Sequence, residues 1–285
     1  MPRVGVCSWS LQATDPADLA AKVRACGVDG VQLALDPVRT GAWDERRTVD
    51  ELRAAGITIL SGMMATKDED YSTLETIKAT GGIAPDATWP DNLRAAGENA
   101  VLCQRLGVTL VTFHAGFLPH TAADPMRGIL IDRLRQLAEV FGDAGVNLAF
   151  ETGQESAGTL LSVLTDLNAS LAPRTPKLTV GVNFDPANMI LYGMGDPVAA
   201  LRALAPAVRQ IHIKDATATK VPGTWGEEVP AGTGHVDWPA FFQVYKSAGM
   251  HTGAQAINLL IEREAGTSRV DDVKTARAMV AKFVG

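Results

Sequence analysis

Eight short apolar runs recur along the chain, each followed by a stretch with helical spacing, and very few folds accept such a sequence. The runs are Arg3–Trp9, Gly30–Leu35, Ile57–Met63, Thr109–His114, Asn147–Glu151, Leu178–Asp185, Val208–Lys214 and Leu259–Glu262. Each has the length and composition of a strand. Between them, "PADLAAKVRACG", "NLRAAGENAVLCQRLG", "IDRLRQLAEVFGDAG", "PVAALRALAP" and "VDDVKTARAMVAKFV" place their apolar residues on one helical face. Gly27, Gly56, Gly107, Gly145 and Gly249 close helical segments shortly before the next strand, where a left-handed terminating residue is needed. Eight strand–helix units in 285 residues predict an α/β fold. The specific form is a (β/α)8 TIM barrel spanning residues 1–285 as a single domain, with its chemistry at the C-terminal ends of the strands.

The phase of each strand selects the residues that meet there, because successive side chains point to opposite faces. Phe150, Phe184, Ile211, Ile213 and Ile261 are assigned to the outer, helix-facing side. Offset from them by one, Glu151, Asp185, His212 and Glu262 face the barrel axis, with Lys214 inward beside His212. A carboxylate pointing into a barrel is costly unless it is paired or bound to metal. Three carboxylates and an imidazole form a hard, oxygen-rich cage for one divalent ion, Mn²⁺ foremost, with Mg²⁺, Co²⁺ or Zn²⁺ as alternatives.

Composition narrows the partners. A net charge of −6 with dispersed acidic and basic residues gives no footprint for nucleic acid or an anionic membrane. No apolar run approaches the ~20 residues of a membrane span, and "MPRVGVCSWS" enters the first strand directly, so the expected location is cytoplasmic. Three cysteines are too few for a disulfide framework: Cys26 and Cys103 read as buried helix-face residues and Cys7 looks into the barrel. Homo-oligomerisation is left open.

Two connections exceed what a barrel needs, Ala65 to Pro90 after the third strand and Ala216 to Val236 after the seventh. Both belong on the active-site face, where Trp89 and Trp225 suit covering a sugar. His114, Asn188 and Lys214 are further candidates for substrate contact, although Lys214 equally suits neutralising the carboxylates and His114 a supporting role. His120, His235 and His251 are expected at the solvent surface, and Glu264 is expected either to bond the metal shell or to sit at the rim. "AGTG" at 231–234 has no accompanying basic cluster, so a phosphorylated substrate is not supported.

Glu151 in "ETGQE", Asp185 in "FDPAN", "HIKD" at 212–215, "GTG" then "VDW" at 232–238 and "IERE" at 261–264 together resemble the xylose isomerase-like barrels. Those include ketose 3-epimerases, hydroxypyruvate isomerase and inosose dehydratase, and the resemblance covers essentially the whole chain. It implies that Glu151, Asp185, His212 and Glu262 bind one divalent metal and that Glu151 and Glu262 double as acid and base. Ketose 3-epimerases typically carry a histidine where this chain has Asn188, and an arginine beyond the seventh-strand histidine that is missing here. These departures point toward oxidised sugars, cyclitols or 3-keto-glycosides.

The chemistry follows from the residues as well. A divalent ion would stabilise the enediolate formed when a proton leaves the carbon beside a sugar carbonyl. Return of the proton by a second glutamate gives epimerisation or isomerisation. Loss of a β-hydroxyl gives dehydration, the route of a lyase on a keto-cyclitol, dehydroshikimate-like or 3-keto-glycoside substrate. The expected partner is a small-molecule sugar. A DNA-repair endonuclease of the same barrel would require additional histidines that this chain lacks, and a non-catalytic sugar-binding barrel has no use for four converging ligands.

Overall fold

The structure, a computed structural model, describes residues 1–172, 180–221, 223–253 and 256–284. Its strands in chain order are β1 (Val4–Cys7), β2 (Gly30–Ala34), β3 (Thr58–Met63), β4 (Leu110–Phe113), β5 (Asn147–Glu151), β6 (Gly181–Phe184), β7 (Val208–Ile213), β8 (Asp215–Thr217), β9 (Glu227–Val229) and β10 (Asn258–Ile261). All except β8 and β9 close one parallel barrel in the order β1-β10-β7-β6-β5-β4-β3-β2. The eight predicted runs are the eight barrel strands. Of the sixth run, Leu178 and Thr179 lie outside the described residues.

Local chemistry explains where the helices begin and end. Asp15, Asp124, Asp185 and Asp196 each precede a proline and accept backbone N–H bonds from the first turn of the following helix. An acidic N-cap satisfies orphan donors while the proline presets the helical φ. The five predicted terminating glycines adopt φ between +68° and +74°. Helices Pro16–Ala25, Trp89–Leu106, Pro125–Asp143, Pro197–Leu204 and Arg269–Val284 occupy the expected stretches.

Outward aromatic residues weld the two layers, as in the pairing of Phe184 with Phe241 of helix Trp238–Ser247 at 6.0 Å. The barrel interior is unusually polar: Gln32, Ser61, Thr112, Asn183 and Gln210 are all buried there. Ser61 Oγ donates to Gln210 Oε1 (2.5 Å), Gln210 Nε2 to Gln32 Oε1 (2.9 Å), and Gln32 Nε2 to Thr112 Oγ1 (2.7 Å). The side chains of Gln32 and Gln210 are thereby satisfied, the condition for a polar core to rigidify a fold.

Several predicted strands run a residue or more too long. His114, Asp185, Lys214 and Glu262 each sit one position past the last residue of their strand. There the chain stays extended while leaving the ladder; Asp185, for instance, has φ −112° and ψ 111°.

The two long connections carry structure of their own. Residues 65–90 contain helix Leu74–Thr80, and Trp89 opens the next helix. Residues 216–236 contribute to an antiparallel hairpin of β8 and β9, with Pro222 outside the described residues. Among the described residues, no helix is long and apolar enough to cross a membrane.

The first connection is fastened to the end of β4 through Gly82. Its φ is +69°, and a Cβ there would stand 2.2 Å from the Ala115 backbone. Gly82→Ala is therefore expected to destabilise the protein by more than about 1 kcal/mol, through both the left-handed φ and the overlap. Urea unfolding checks this, and an unchanged midpoint would mean that the segment is not packed as described.

Candidate active site

Four side chains from consecutive barrel strands converge at the mouth. Glu151 ends β5, Asp185 follows β6, His212 lies in β7 and Glu262 follows β10. One donor atom of each lies within 4.8 Å of the others. His212 Nδ1 stands 3.3 Å from Glu262 Oε2, 3.5 Å from Glu151 Oε1 and 3.7 Å from Asp185 Oδ2. Two ligands sharing an ion with bonds of about 2.1 Å are separated by roughly 3–4.2 Å, so these spacings fit a divalent cation.

Each carboxylate is aimed by a different neighbour. Asp185 spends Oδ1 on the N–H groups of Ala187 (2.7 Å) and Asn188 (3.0 Å). Its Oδ2 is buried and has no hydrogen-bond partner. An orphaned buried carboxylate oxygen in a cluster of acids is a free ligand atom that suits a cation. Asn188 Nδ2 donates to Glu151 Oε1 (2.8 Å), while Trp9 Nε1 donates to Glu262 Oε1 (2.8 Å). Lys214 Nζ bonds Glu262 Oε2 (2.9 Å) and Glu264 Oε2 (2.7 Å), and reaches Asn188 Oδ1 at 3.3 Å.

The histidine is oriented from behind. Gln32 Oε1 lies 2.8 Å from His212 Nε2, and Gln32 is itself fixed by Thr112 and Gln210. A proton on Nε2 leaves Nδ1 with its lone pair toward the three carboxylates, the form required of a metal ligand. Burial pushes Asp185 up to about 7 despite the opposing Lys214 ammonium. Burial also disfavours ionised Glu262, but Lys214 and His212 outweigh it and hold that carboxyl well below the usual range.

The cage opens into a cavity of about 510 Å³. His114, Asn188, Lys214 and Trp225 all line it. Trp225 packs edge-on against Tyr192 with ring centroids 5.9 Å apart. Trp89 is absent from this lining. It starts a helix and instead supports Arg133, whose Cζ lies 5.3 Å from the indole centroid while its Nη1 bonds the carbonyls of Ile83 and Ala84. The expectation of a Trp89 cover is therefore corrected: its ring holds the connection together from the side.

Further lining residues escaped the sequence pattern: Trp9, Glu69, Tyr71 and Tyr192. Glu69 Oε1 accepts from Gly82 N (2.8 Å) and faces His114 Nδ1 at 3.4 Å. His114 Nε2 is buried and without a partner. Behind it lies Glu155, 3% exposed, whose carboxyl burial pushes up to about 8. His120 and His235 are exposed as expected, whereas His251 is half-buried with its ring 6.3 Å from Tyr245. Beside it, Ile257 N bonds Met250 O.

The hairpin wall is built around one buried carboxylate. Asp215 accepts from the N–H groups of Ala216, Gly232, Gly234 and Val236 and from Trp238 Nε1. "GTG" and "VDW" thus wrap Asp215. On the far side, Glu228 Oε1 binds Arg263 Nη1 (2.7 Å) and Glu264 N (2.8 Å), and Arg263 Nε binds Asp272 (2.8 Å).

The family model described as xylose isomerase-like TIM barrel matches residues 20–282. The chain belongs to that family. Among solved structures it resembles a xylose isomerase domain protein from Planctomyces limnophilus, with 29% identity and a TM-score of 0.82 over 92% of this chain and 91% of that one. An L-ribulose 3-epimerase shares 19% identity with a TM-score of 0.73, over 100% of this chain and 95% of that one. A probable 3-DHS dehydratase from Bacillus anthracis shares 15% identity with a TM-score of 0.70, over 99% of each chain. At these lower identities the likeness is one of fold. No curated protein sequence matches significantly.

Within this xylose isomerase-like barrel, Glu155 provides a test of how closed the site is. Its carboxyl ionises at about 8 when folded against 4.5 as a reference value. The unfolded chain therefore releases this proton first, and the group's contribution to stability is complete below about 4.5 and lost as pH rises through about 8. Glu155→Gln mimics the protonated form and is expected to flatten that fall. Denaturant unfolding of both proteins at pH about 5 and about 9 measures the difference; parallel profiles would show Glu155 to be solvated.

Proposed function

We propose that this protein is a divalent-metal-dependent sugar isomerase or epimerase acting on a keto sugar or sugar derivative. The observation carrying this reading is the pair of glutamates, Glu151 and Glu262, which border the four-residue cage and both line the cavity. In this reading Glu151, Asp185, His212 and Glu262 hold the ion, with Mn²⁺ the first choice and Mg²⁺, Co²⁺ or Zn²⁺ the alternatives. When bound, it supplies Lewis-acid stabilisation of the negative charge that develops beside a carbonyl as the α-proton leaves.

The protein groups do the rest. Asn188 and Trp9 fix the two glutamates through single hydrogen bonds, leaving each carboxylate directed at the cavity. One glutamate removes the α-proton and the other returns a proton to the opposite face or to the adjacent carbon. In a reversible epimerisation the two exchange roles with the epimer bound, so each serves as base in one direction. Lys214, Asn188 and His114 are assigned to substrate hydroxyls, and Trp225 to the apolar face of the ring.

The lining also describes the substrate. Glu69, Glu151, Glu228, Glu262 and Glu264 face the cavity; Glu228 is paired with Arg263, and the Lys214 ammonium is engaged by Glu262 and Glu264. An anionic substrate would meet repulsion there, whereas an uncharged polyol offers hydroxyl donors to every carboxylate. Trp9, Tyr71, Tyr192 and Trp225 supply flat apolar surfaces for its C–H faces. The volume lies within the usual range for small-molecule pockets.

A second reading is elimination by a dehydratase or lyase on a keto-cyclitol or 3-keto-glycoside. It is favoured by the unpartnered Nε2 of His114, a third proton carrier. Since β4 stands diametrically across the barrel from β10, His114 is placed to serve a leaving oxygen remote from Glu262. A dehydroshikimate-like acid fits less well, because its own carboxylate would enter the acidic lining.

Incubation with candidate keto sugars in D₂O, read by NMR, tests the reading. Deuterium is expected at the α-carbon of the true substrate or product. Glu151→Gln and Glu262→Gln should each lower turnover roughly 10²–10⁴-fold while keeping at least part of the Mn²⁺ binding. Near-normal turnover in both variants, or conversion without deuterium uptake, would exclude the two-glutamate route.

A further inference from the structure

Beneath the cage, Cys7 forms a second donor set that the proposed reaction does not use. Cys7, His212 and Glu262 each present a ligand atom within 4.8 Å of the others, and all three are buried. Cys7 Sγ lies 3.7 Å from His212 Nε2. A tetrahedral zinc ion with a Zn–S bond of about 2.3 Å and a Zn–N bond of about 2.0 Å holds those two donors roughly 3.5 Å apart. The spacing of these two donors fits a thiophilic ion once Gln32 Oε1, 2.8 Å from Nε2, gives way.

We propose that this barrel has two alternative metal positions sharing His212 and Glu262: an oxygen-rich one at the mouth, and a deeper one in which Cys7, His212 and Glu262 take a thiophilic ion such as Zn²⁺ or Cd²⁺. The proposal shares the cage with the proposed function but concerns a different ion and a different donor.

The imidazole can serve only one of them at a time. Ligation through Nδ1 requires the ring proton on Nε2, where Gln32 Oε1 accepts it at 2.8 Å. Ligation through Nε2 requires the proton on Nδ1, where Glu151 Oε1 at 3.5 Å accepts it while Glu262 turns to the deeper ion. Each tautomer thus finds acceptors already in place. Asn183 Nδ2, 3.1 Å from Nε2, supplies a donor whenever that nitrogen is bare and unligated. Gln32 Oε1 keeps its bond from Gln210 Nε2 if it loses the histidine. Moving one proton across the ring therefore exchanges the two positions, and filling the deeper one leaves Asp185 Oδ2 as the buried atom without a partner.

Sulfur decides which ion goes where. Thiolate prefers zinc and cadmium, whereas carboxylate oxygen suits manganese and magnesium. On binding, the Cys7 S–H bond breaks, its proton passes to solvent and the sulfur lone pair forms the bond to the ion. Without an ion the thiol is protonated, because burial pushes it up to about 12. Cys26 and Cys103 are also buried and free, but neither belongs to a donor cluster among the described residues.

The position makes a thiophilic ion a competitor of the mouth ion and gives it a sulfur ligand. X-ray absorption at the zinc edge of the intact, metal-stripped protein loaded with one equivalent of Zn²⁺ is expected to show one sulfur near 2.3 Å beside nitrogen and oxygen near 2.0–2.2 Å. In Cys7→Ser the sulfur shell should vanish, and the affinity ratio of Zn²⁺ to Mn²⁺ should fall roughly tenfold or more. A wild-type spectrum with nitrogen and oxygen alone overturns the proposal without recourse to any variant, and so does a sulfur shell that survives in Cys7→Ser. If Zn²⁺ binds without sulfur while Mn²⁺ binds normally, the mouth cage stands and only the deeper position falls. If neither ion binds stoichiometrically, both readings fall.

Discussion

The arrangement depends on placing three carboxylates around one imidazole at the mouth of a closed barrel. Asp185 and Glu262 are buried, Glu151 nearly so, and among the described residues Lys214 is the single ammonium in contact with the group. Like charges about 4 Å apart repel by roughly 4 kcal/mol even at an effective dielectric of 20. Closure forbids relief by movement, because each residue is carried by a strand hydrogen-bonded to its neighbours on both sides. The surroundings accordingly supply donors: amide N–H groups at Asp185, Asn188 at Glu151, the Trp9 indole and Lys214 at Glu262. One oxygen, Asp185 Oδ2, is left over. That remainder ties the interior to a cation more directly than any motif does.

Much of this was legible in the sequence because two periodicities are local. A strand's alternation fixes which face a residue takes once its neighbours are known, and Phe150, Phe184, Ile211 and Ile261 are buried apolar residues, while Glu151, Asp185, His212 and Glu262 meet one another. Strand ends were overestimated for an equally local reason. Asp185 and Glu262 remain extended beyond the ladder, and nothing in an amino-acid string distinguishes an extended residue from a paired one. Asp185 has a double role, ending one element and capping the next, so the helix-start device of an Asp-Pro pair also aims a carboxylate.

What the sequence hid lies in contacts between distant segments. Trp9 reaches Glu262 across more than two hundred residues, and Glu69 meets His114 only because the third connection folds onto the end of β4. The two long connections looked like covers because Gly-rich stretches with tryptophans suit that part. Trp89 was claimed instead by Arg133, and residues 215–238 were organised by Asp215, whose five bonds join positions up to 23 apart. Such carboxylate-centred loops have no period for a pattern to detect. They leave only isolated signs, here the glycines at 232 and 234, where Gly234 sits so near Asp215 that a Cβ would stand 2.2 Å from Oδ1.

The barrel order adds a division of labour that neither the motif nor the cavity states alone. The four converging ligands occupy the consecutive strands β10, β7, β6 and β5, one half of the ring. The other half, from β1 to β4 and its connections, contributes Trp9, Met63, Tyr71, Glu69 and His114 to the same cavity. Charge is concentrated on one side, and shape and hydrogen-bonding variety on the other. A substrate lying between them would present its reacting carbons to the first half and its remaining hydroxyls or second ring to the other. Changes at Met63 would then reshape the cavity without removing a ligand, whereas Trp9, Glu69, Tyr71 and His114 in the same half take part in hydrogen bonds to carboxylates and share in the electrostatic balance. The hairpin of β8 and β9 belongs to the ligand half and is held by Glu228 to Arg263 and Glu264. Trp225 packs against Tyr192 beside the charged side, and the facing wall is formed around Glu69 and Tyr71.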